Sequence, residues 1–376
     1  MKGREWNSLP VTGLIGADRI NIVKRLKCRE NLNTTIKNKD FTMKTYMYSL
    51  IAFSLVGSFM MPCNINNRLS NTDAITSKIV FTADNHLCII NSNEKNIQIL
   101  ASGRKGSFVD WEADISPNGT KLVFSSADST PKQIYLMNLR TLHTTNITHD
   151  HVFHESPSFS PDGKSIIFLT AQGWMENIYQ INIVTDELRQ LTNGLKCSPP
   201  SYSPDGTKII FSFTNARDSN GIATIDKNGN NFKLLTRKGG SPQYSKNGKL
   251  ILYQDYFSPK ARGLYIMNSD GSNNKFLTTI PYQTYPKLSP DGSKIVLSYF
   301  TSNYDIYIMN NDGSGITGLT TSPGREYQPS FSPDGTKIMY LLYDTSRTFQ
   351  LNMMDLDGCN KKTIITDMGS LRDPTF

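Results

Sequence analysis

The chain has 376 residues and a formal net charge of +8 at pH 7, and 38% of its residues are hydrophobic. Residues 1–42 contain nine basic and four acidic side chains, and Lys44 adds another positive charge, so little net charge remains beyond residue 64. The basic balance is therefore no argument for binding nucleic acid, and we expect no nucleic-acid partner. No two of the five cysteines have the spacing of metal ligands, and a chain of this length can bury a core without disulfide bonds.

Residues 43–63, MKTYMYSLIAFSLVGSFMMPC, start with a basic residue, continue as an apolar run and end in a cysteine. This pattern is typical of a secretory signal peptide, because the apolar run is shorter than the roughly twenty residues of a membrane-spanning helix. We expect residues 1–42 to be a gene-model extension or a disordered tail, and residues 64–77 to be a linker. Cys63 is a candidate for lipidation, with ordinary cleavage after Ser58 as the alternative. Either route predicts a periplasmic or secreted protein, and lipidation would anchor it to the membrane.

Three short apolar segments follow at residues 78–83, 87–92 and 97–102, with the sequences KIVFTA, LCIINS and IQILAS. Their β-rich composition predicts three consecutive strands. The chain then repeats one motif, which reads FSPDGKSIIF at residues 159–168 and FSPDGTKIMY at residues 331–340. Proline fixes φ at the second turn position and glycine accepts a left-handed exit, so each copy predicts a type I turn that leads into a strand.

The period of this motif indicates the architecture. The turn serines recur every 42 to 44 residues. They are Ser116, Ser160, Ser203, Ser245, Ser289 and Ser332. Each repeat continues with a third strand such as IYQIN and a fourth that ends in Leu-Thr, and Asp-Gly dipeptides between these strands predict two-residue hairpins. Arrays of four-stranded units with this period are typical of β-propellers.

The two ends of the chain complement each other. The last residues, 373–376, match the first strand of the sixth repeat, whereas residues 78–102 supply three strands with no first strand before them. We therefore predict an all-β fold over residues 78–376, a monomeric seven-bladed propeller of four-stranded antiparallel blades. Pairing of the N- and C-terminal strands would close the ring and remove exposed sheet edges. A six-bladed propeller is the alternative.

The segments PSFSPDGKSIIF, IYQIN and LRQLTN, read together, resemble the propeller repeat of the TolB family. Related repeats occur in the propeller domains of prolyl-oligopeptidase-like serine peptidases. TolB itself has a small α/β domain before its propeller, and residues 1–77 show no pattern of that kind, so the resemblance covers the propeller alone. It implies a periplasmic role as a scaffold that contacts envelope proteins.

Motifs of catalysis are missing from the sequence. It has no Gly-x-Ser-x-Gly elbow, P-loop or HExxH motif, so we expect no catalytic residue and no cofactor. The loop HDHVFHE offers weak metal candidates in His149, His151, His154 and Glu155, with a polar connecting loop as the alternative reading. Oligogalacturonate lyases, which this chain resembles in architecture, hold a metal with histidines from several blades. All histidines here precede residue 155, so that ligand set is not found.

A binding surface is the remaining prediction. Loops after the second and fourth strands of a blade share one face, and aromatic and arginine residues there are typical of binding hot spots. The candidates on this face are Trp174, Arg217, Tyr256, Arg262, Tyr304, Arg325, Tyr327, Arg347 and Arg372. We predict a non-enzymatic envelope scaffold that binds a protein or glycan, with a metal-dependent, oligogalacturonate lyase-like enzyme as the alternative. The sequence shows no set of polar catalytic groups that would converge on the propeller axis from different blades.

Overall fold

The computed structural model describes residues 78–84, 86–91, 97–102, 112–126, 131–215, 220–256, 262–280 and 284–373. This part of the chain forms strands and turns without a helix, which confirms the all-β prediction. In the described residues there is accordingly no helix long and apolar enough to cross a membrane. The predicted tail, signal peptide and linker, including Cys63, lie outside the described residues.

The strands are grouped here by the repeat units to which they belong. Unit 1 contains β1 (Lys78–Ala83), β2 (His86–Asn91) and β3 (Ile97–Ser102), and unit 2 contains β4 (Ala113–Ile115), β5 (Lys121–Ser126), β6 (Gln133–Asn138) and β7 (Thr144–Asn146). Unit 3 contains β8 (Phe153–Phe159), β9 (Ser165–Gln172), β10 (Met175–Asn182) and β11 (Leu188–Gln190). Unit 4 contains β12 (Lys196–Cys197), β13 (Ser201–Tyr202), β14 (Lys208–Thr214), β15 (Asn220–Asp226) and β16 (Lys233–Thr236).

The last three units follow the same order. Unit 5 contains β17 (Gly240–Tyr244), β18 (Leu250–Asp255), β19 (Gly263–Asn268) and β20 (Lys275–Thr279). Unit 6 contains β21 (Lys287–Leu288), β22 (Lys294–Phe300), β23 (Tyr304–Asn310) and β24 (Thr317–Gly318). Unit 7 contains β25 (Arg325–Phe331), β26 (Lys337–Tyr343), β27 (Phe349–Asp355) and β28 (Lys362–Met368).

Strands within a unit pair in chain order. Units 2, 5, 6 and 7 are separate four-stranded sheets, and unit 1 is a three-stranded sheet. Units 3 and 4 form one nine-stranded sheet, because Glu176 of β10 pairs in parallel with Lys196 of β12. The first strand of unit 4 is split around Pro199 and Pro200, which have no N–H to donate to the ladder.

The turn between the first and second strands has the predicted geometry. The N–H of Gly163 donates to the carbonyl of Ser160 at 2.8 Å, and Gly163 has a φ of +67°. The Asp162 carboxylate accepts from the N–H of Lys164 at 3.0 Å, and the Ser160 Oγ accepts from the N–H of Ser165 at 2.9 Å. Two side chains of the motif therefore hold their own turn closed.

The Asp-Gly hairpins differ from the prediction of two-residue loops. In unit 5 the N–H of Gly271 donates to the carbonyl of Asn268, and the N–H of Asn268 donates to the carbonyl of Ser272, both at 2.9 Å. Three residues therefore lie between Asn268 and Ser272. Gly271 supplies the third at a φ of +89°, which turns the chain into the fourth strand.

The copied glycines also contact the preceding unit. A Cβ atom at Gly206 would lie 3.5 Å from Pro161 in the turn before it. A Cβ atom at Gly358 would lie 2.6 Å from the carbonyl oxygen of Leu319, in the Leu-Thr pair of unit 6. The same glycine–leucine approach recurs between Gly229 and Leu191, Gly271 and Leu235, and Gly313 and Leu277. The repeat is thus constrained by contacts between units as well as by its own turns.

The apolar core lies between the faces of neighbouring units. Phe168 of unit 3 is buried in one cluster with Val123 and Ile134 of unit 2. Tyr340 of unit 7 is buried in another with Ile306 of unit 6. Burying each such side chain contributes roughly 1.5–3 kcal/mol, so every unit depends on its neighbours for stability.

The C-terminal segment pairs with the first strand of the described chain. The N–H of Arg372 donates to Thr82 at 3.1 Å, and the N–H of Thr82 donates back to Arg372 at 3.4 Å. The N–H of Ser370 also donates to the Asp84 carboxylate at 2.8 Å. These bonds agree with the predicted pairing of the two ends, while the number of blades and closure of the ring stay predictions.

Candidate functional site

The first strands of the units share an unusual backbone conformation. Four residues before the turn serine, and at the matching position of the C-terminal segment, a residue other than glycine adopts a positive φ of 43° to 55°. These residues are Ser156, Ser241, Tyr285, Gln328 and Asp373. The strand register shifts at this position in units 3, 5 and 7. Such bulges redirect side chains, and a left-handed backbone costs roughly 1–2 kcal/mol, so contacts around this position must offset that cost.

Side chains of neighbouring units supply some of those contacts. The side-chain oxygen of Gln328 accepts from the N–H of Asp373 at 2.9 Å, and its side-chain nitrogen donates to the Asp373 carboxylate. Glu112 likewise accepts from the N–H of Ser156 and, at 3.1 Å, from its hydroxyl. In both cases a side chain of one unit accepts a hydrogen bond from the irregular backbone of the next. These polar side chains therefore stabilise the packing of the units.

Four tyrosines and two charged residues meet at this end of units 5 to 7. The charges of Asp373 and Arg372 act on the Tyr285 hydroxyl, and Tyr304 also interacts with it. Tyr285, Arg372 and Asp373 all act on Tyr327. Tyr285 also acts electrostatically on Tyr256. We call Tyr256, Tyr285, Tyr304, Tyr327, Arg372 and Asp373 the tyrosine cluster.

The tyrosine cluster is suited to binding. Its four tyrosines are half-buried and Arg372 is exposed, so rings and guanidinium are accessible to a partner. Burial raises the pKa of Tyr285 to about 12, and it raises the pKa of Tyr256 and Tyr327 as well. These hydroxyls therefore stay protonated at neutral pH and do not act as general bases. The Tyr256 hydroxyl donates to the side-chain oxygen of Gln254. The exposed ring of Phe300 lies 5.0 Å from that of Tyr304 and extends the aromatic surface.

The structure brings together part of the set predicted from the sequence. Tyr256, Tyr304, Tyr327 and Arg372 belong to the tyrosine cluster. Trp174 lies at the β9–β10 turn of unit 3 and is 91% exposed. The other described candidates are exposed as well: Arg262 precedes β19, Arg325 begins β25 and Arg347 lies in the β26–β27 loop. Arg217 lies outside the described residues.

Sequence reasoning missed Tyr285 and Asp373. Tyr285 lies four residues before Ser289, and Asp373 aligns with Gln328, so comparing the repeats at that position would have singled them out. Tyr285, Tyr327 and Arg372 come from three different repeats and interact electrostatically. Irregular backbone at the strand starts, rather than the turn motif, builds this site.

The histidine-rich loop has its own internal partners. His154 is buried, its Nε2 lies 2.7 Å from the Asp150 carboxylate and its Nδ1 lies 3.0 Å from the Thr170 hydroxyl. Glu155 lies 3.6 Å from the Lys132 ammonium, and burial together with the charge of Glu112 raises the pKa of Glu155 to about 7. His149 and His151 are exposed. In the described part of the chain, no three His, Cys, Asp or Glu residues are grouped as metal ligands.

Comparisons with known proteins agree with this fold. The family described as TolB beta propeller domain matches residues 112–285 and 241–343. TolB from Acinetobacter baumannii is 24% identical, with a TM-score of 0.51, and the match covers 80% of this chain and 67% of that chain. No curated protein matches the chain.

Two enzymes have a similar structure at lower identity. An oligogalacturonate lyase from Vibrio parahaemolyticus is 16% identical, with a TM-score of 0.54, and the match covers 67% of this chain and 76% of the lyase. A puromycin-hydrolyzing peptidase from Mycobacterium tuberculosis is 12% identical, with a TM-score of 0.62, over 83% of this chain and 54% of the peptidase. At these identities the likeness concerns the fold alone.

Proposed function

Because the chain belongs to the TolB β-propeller domain family, we propose that it is a non-enzymatic interaction scaffold of the bacterial envelope. It binds a protein or glycan partner through the face on which the tyrosine cluster lies. The observation that carries the proposal is the convergence of half-buried tyrosines with Arg372 from separate repeats. Aromatic rings with one polar end and an arginine are the groups most enriched at binding hot spots.

The proposed scaffold is a monomeric ring of seven blades. The seventh is completed when the C-terminal segment joins β1 to β3. Support comes from the paired backbones of Thr82 and Arg372 and from the seven repeat units. Closure would fix the tyrosine cluster in one geometry before the partner arrives, and preorganisation of this kind lowers the entropic cost of binding.

The envelope location is part of the same proposal. Family membership and the signal-peptide pattern of residues 43–63 support export, and Cys63 offers a lipid anchor. The alternative function is a metal-dependent lyase that acts on acidic polysaccharide. It is favoured only by the shared fold with the oligogalacturonate lyase, which carries no information about substrate.

Site-specific photo-crosslinking in the native host tests the proposal. A photoreactive phenylalanine analogue replaces Tyr304 in the full chain, and the matched control carries it at Phe276, an exposed ring on β20 outside the tyrosine cluster. We expect one predominant adduct from position 304 and none from position 276. Replacing Tyr285 or Arg372 by alanine should reduce that adduct severalfold.

The same experiment separates the two functions. Purified full chain is incubated with polygalacturonate and Mn²⁺, and unsaturated products are measured. Metal-dependent product formation, or equal adducts from positions 304 and 276, would overturn the scaffold proposal.

A further inference from the structure

A cavity of about 350 Å³ lies at the other end of the first strands, by the turns of units 5, 6 and 7. Gln243, Lys287 and Ser330 line it from three successive units, and all three occupy the second position before the turn serine. Lys246 lines it from the turn of unit 5. The volume is within the usual range of small-ligand pockets, about 300–1,000 Å³.

The lining of this cavity carries positive charge. Two lysines and no carboxylate are among the described residues that line it. The Lys246 ammonium donates to the carbonyl of Pro333 at 3.4 Å, a contact between residues 87 apart that places the ammonium where the turns of units 5 and 7 approach each other. Lys287 is half-buried as a whole, and burial of its ammonium is the main influence on its pKa.

Carboxylates near the cavity belong to the turns or to the tyrosine cluster. Asp291 and Asp334 accept hydrogen bonds from the serine of their own turn, and these bonds lower the pKa of both carboxyls. They therefore keep a constant charge above neutral pH. Burial lowers the pKa of Lys287 to about 8, and the negative charge of Asp373 opposes that shift. An anion in the cavity would act in the same direction as Asp373 and stabilise the charged lysine.

We propose that this cavity binds a carboxylate group, with Lys287 and Lys246 as its cationic partners. The Gln243 amide nitrogen donates one hydrogen to the carbonyl of Pro286 at 3.0 Å, and its second N–H is a further donor for the carboxylate. The carboxylate could come from an acidic sugar or from the C-terminus of a peptide, and both present the same planar anion. No residue of the tyrosine cluster lines this cavity, although Asp373 of that cluster acts on Lys287, and the proposal does not depend on the proposed function.

Calorimetric titration of the full chain tests the proposal with four probes. Galacturonate and N-acetyl-glycylglycine carry the carboxylate, and galactose and N-acetyl-glycylglycinamide are their neutral counterparts. We expect at least one acid to bind about tenfold or more tightly than its neutral counterpart, as a charge-assisted hydrogen bond requires. Which acid binds identifies the source of the carboxylate.

Two lysine variants locate the binding site. Lys287→Gln and Lys246→Gln should each weaken binding of that acid about tenfold. Lys249→Gln is the matched control, because Lys249 is exposed beside the same turn but does not line the cavity. Its affinity should equal that of the unmodified chain.

The pH dependence of acid binding by the unmodified chain is a further test of the role of Lys287. Lys287 loses its proton as the pH rises from about 7 to about 9, so affinity for the acid should fall across this interval. The proposal is overturned if neither acid binds, if acids and neutral probes bind equally, or if Lys287→Gln changes nothing. Equal affinity for inorganic phosphate would overturn the selectivity for carboxylates.

Discussion

The side-chain oxygen of Gln328 accepts a hydrogen bond from the N–H of Asp373 at 2.9 Å, across 45 residues of sequence. Both residues have a left-handed backbone, with φ values of 51° and 53°. Asp373 directly follows Arg372, whose backbone pairs with Thr82 of β1. The C-terminal segment is therefore bound to unit 7 on one side and to unit 1 on the other.

Replacing Gln328 by alanine should destabilise the protein by about 1–3 kcal/mol, because it removes both hydrogen bonds to Asp373, including the one that its partly buried N–H donates. Urea unfolding of the full chain measures the change. Gln190→Ala is the control, since the Gln190 side chain is exposed and bonds only to Thr192 within its own unit. Equal midpoints for the two variants would show that the link between Gln328 and Asp373 contributes nothing to stability.

Two glycines allow a test of the contact between units. Gly358 and Gly173 both have a positive φ, but a Cβ at Gly358 would lie 2.6 Å from the carbonyl oxygen of Leu319, whereas a Cβ at Gly173 meets nothing within 4 Å. Gly173→Ala should cost roughly 1–2 kcal/mol for its backbone alone. Gly358→Ala should cost about 2 kcal/mol more, because the leucine backbone of the preceding unit must move. Comparable thermal midpoints for both variants would contradict the interlocking of units.

The sequence predicted the strands and turns because their signals are local. Proline and glycine at fixed turn positions, as at Pro161 and Gly163, favour one backbone shape whatever surrounds them. The tyrosine cluster could not be predicted in the same way. A tyrosine such as Tyr285 has no local preference for a positive φ, and Tyr285 and Asp373 approach each other only because two repeats pack together.

The turn glycines were predicted only in part. The motif predicts their positive φ, but it does not predict their contact with the previous unit. The first strand of unit 4 was also predicted only in part. The repeat predicts the strand, and Pro199 and Pro200 divide it into two short pieces. Local chemistry specified each unit, and packing between units determined the candidate site.

Glu326 should make stability depend on pH. Its side chain is 1% exposed, and its Oε2 has no hydrogen-bond partner in the described residues. Burial raises its pKa from 4.5 to about 7, with the charge of Asp305 acting in the same direction and that of Lys361 against it. Between these two pH values the folded chain holds a proton that the unfolded chain has released. Stability should therefore fall by up to roughly 3 kcal/mol as the pH rises from about 4.5 to about 7.

Glu326→Gln removes this contribution. The difference in unfolding free energy between variant and unmodified chain should grow in favour of the variant over that interval and stay constant above about pH 8. Taking the difference cancels the effects of Glu155 and Asp114, whose pKa values burial also raises, to about 7 and about 6. A flat difference for Glu326→Gln would mean that this carboxyl ionises normally in the folded protein.

Trp174 should contribute to binding without contributing to stability. Its ring is 91% exposed, and it lies in the loop between the second and third strands of unit 3. Tyr304 lies directly after the corresponding loop of unit 6. Trp174→Ser should change the unfolding free energy by less than about 0.5 kcal/mol. If the loops of this face bind one partner, it should also reduce the adduct formed from position 304 by about tenfold or more. Val184→Ser is the control, because Val184 is 72% exposed but lies in the turn at the other end of β10. Unchanged adduct with Trp174→Ser would limit the binding surface to the tyrosine cluster and exclude unit 3 from it.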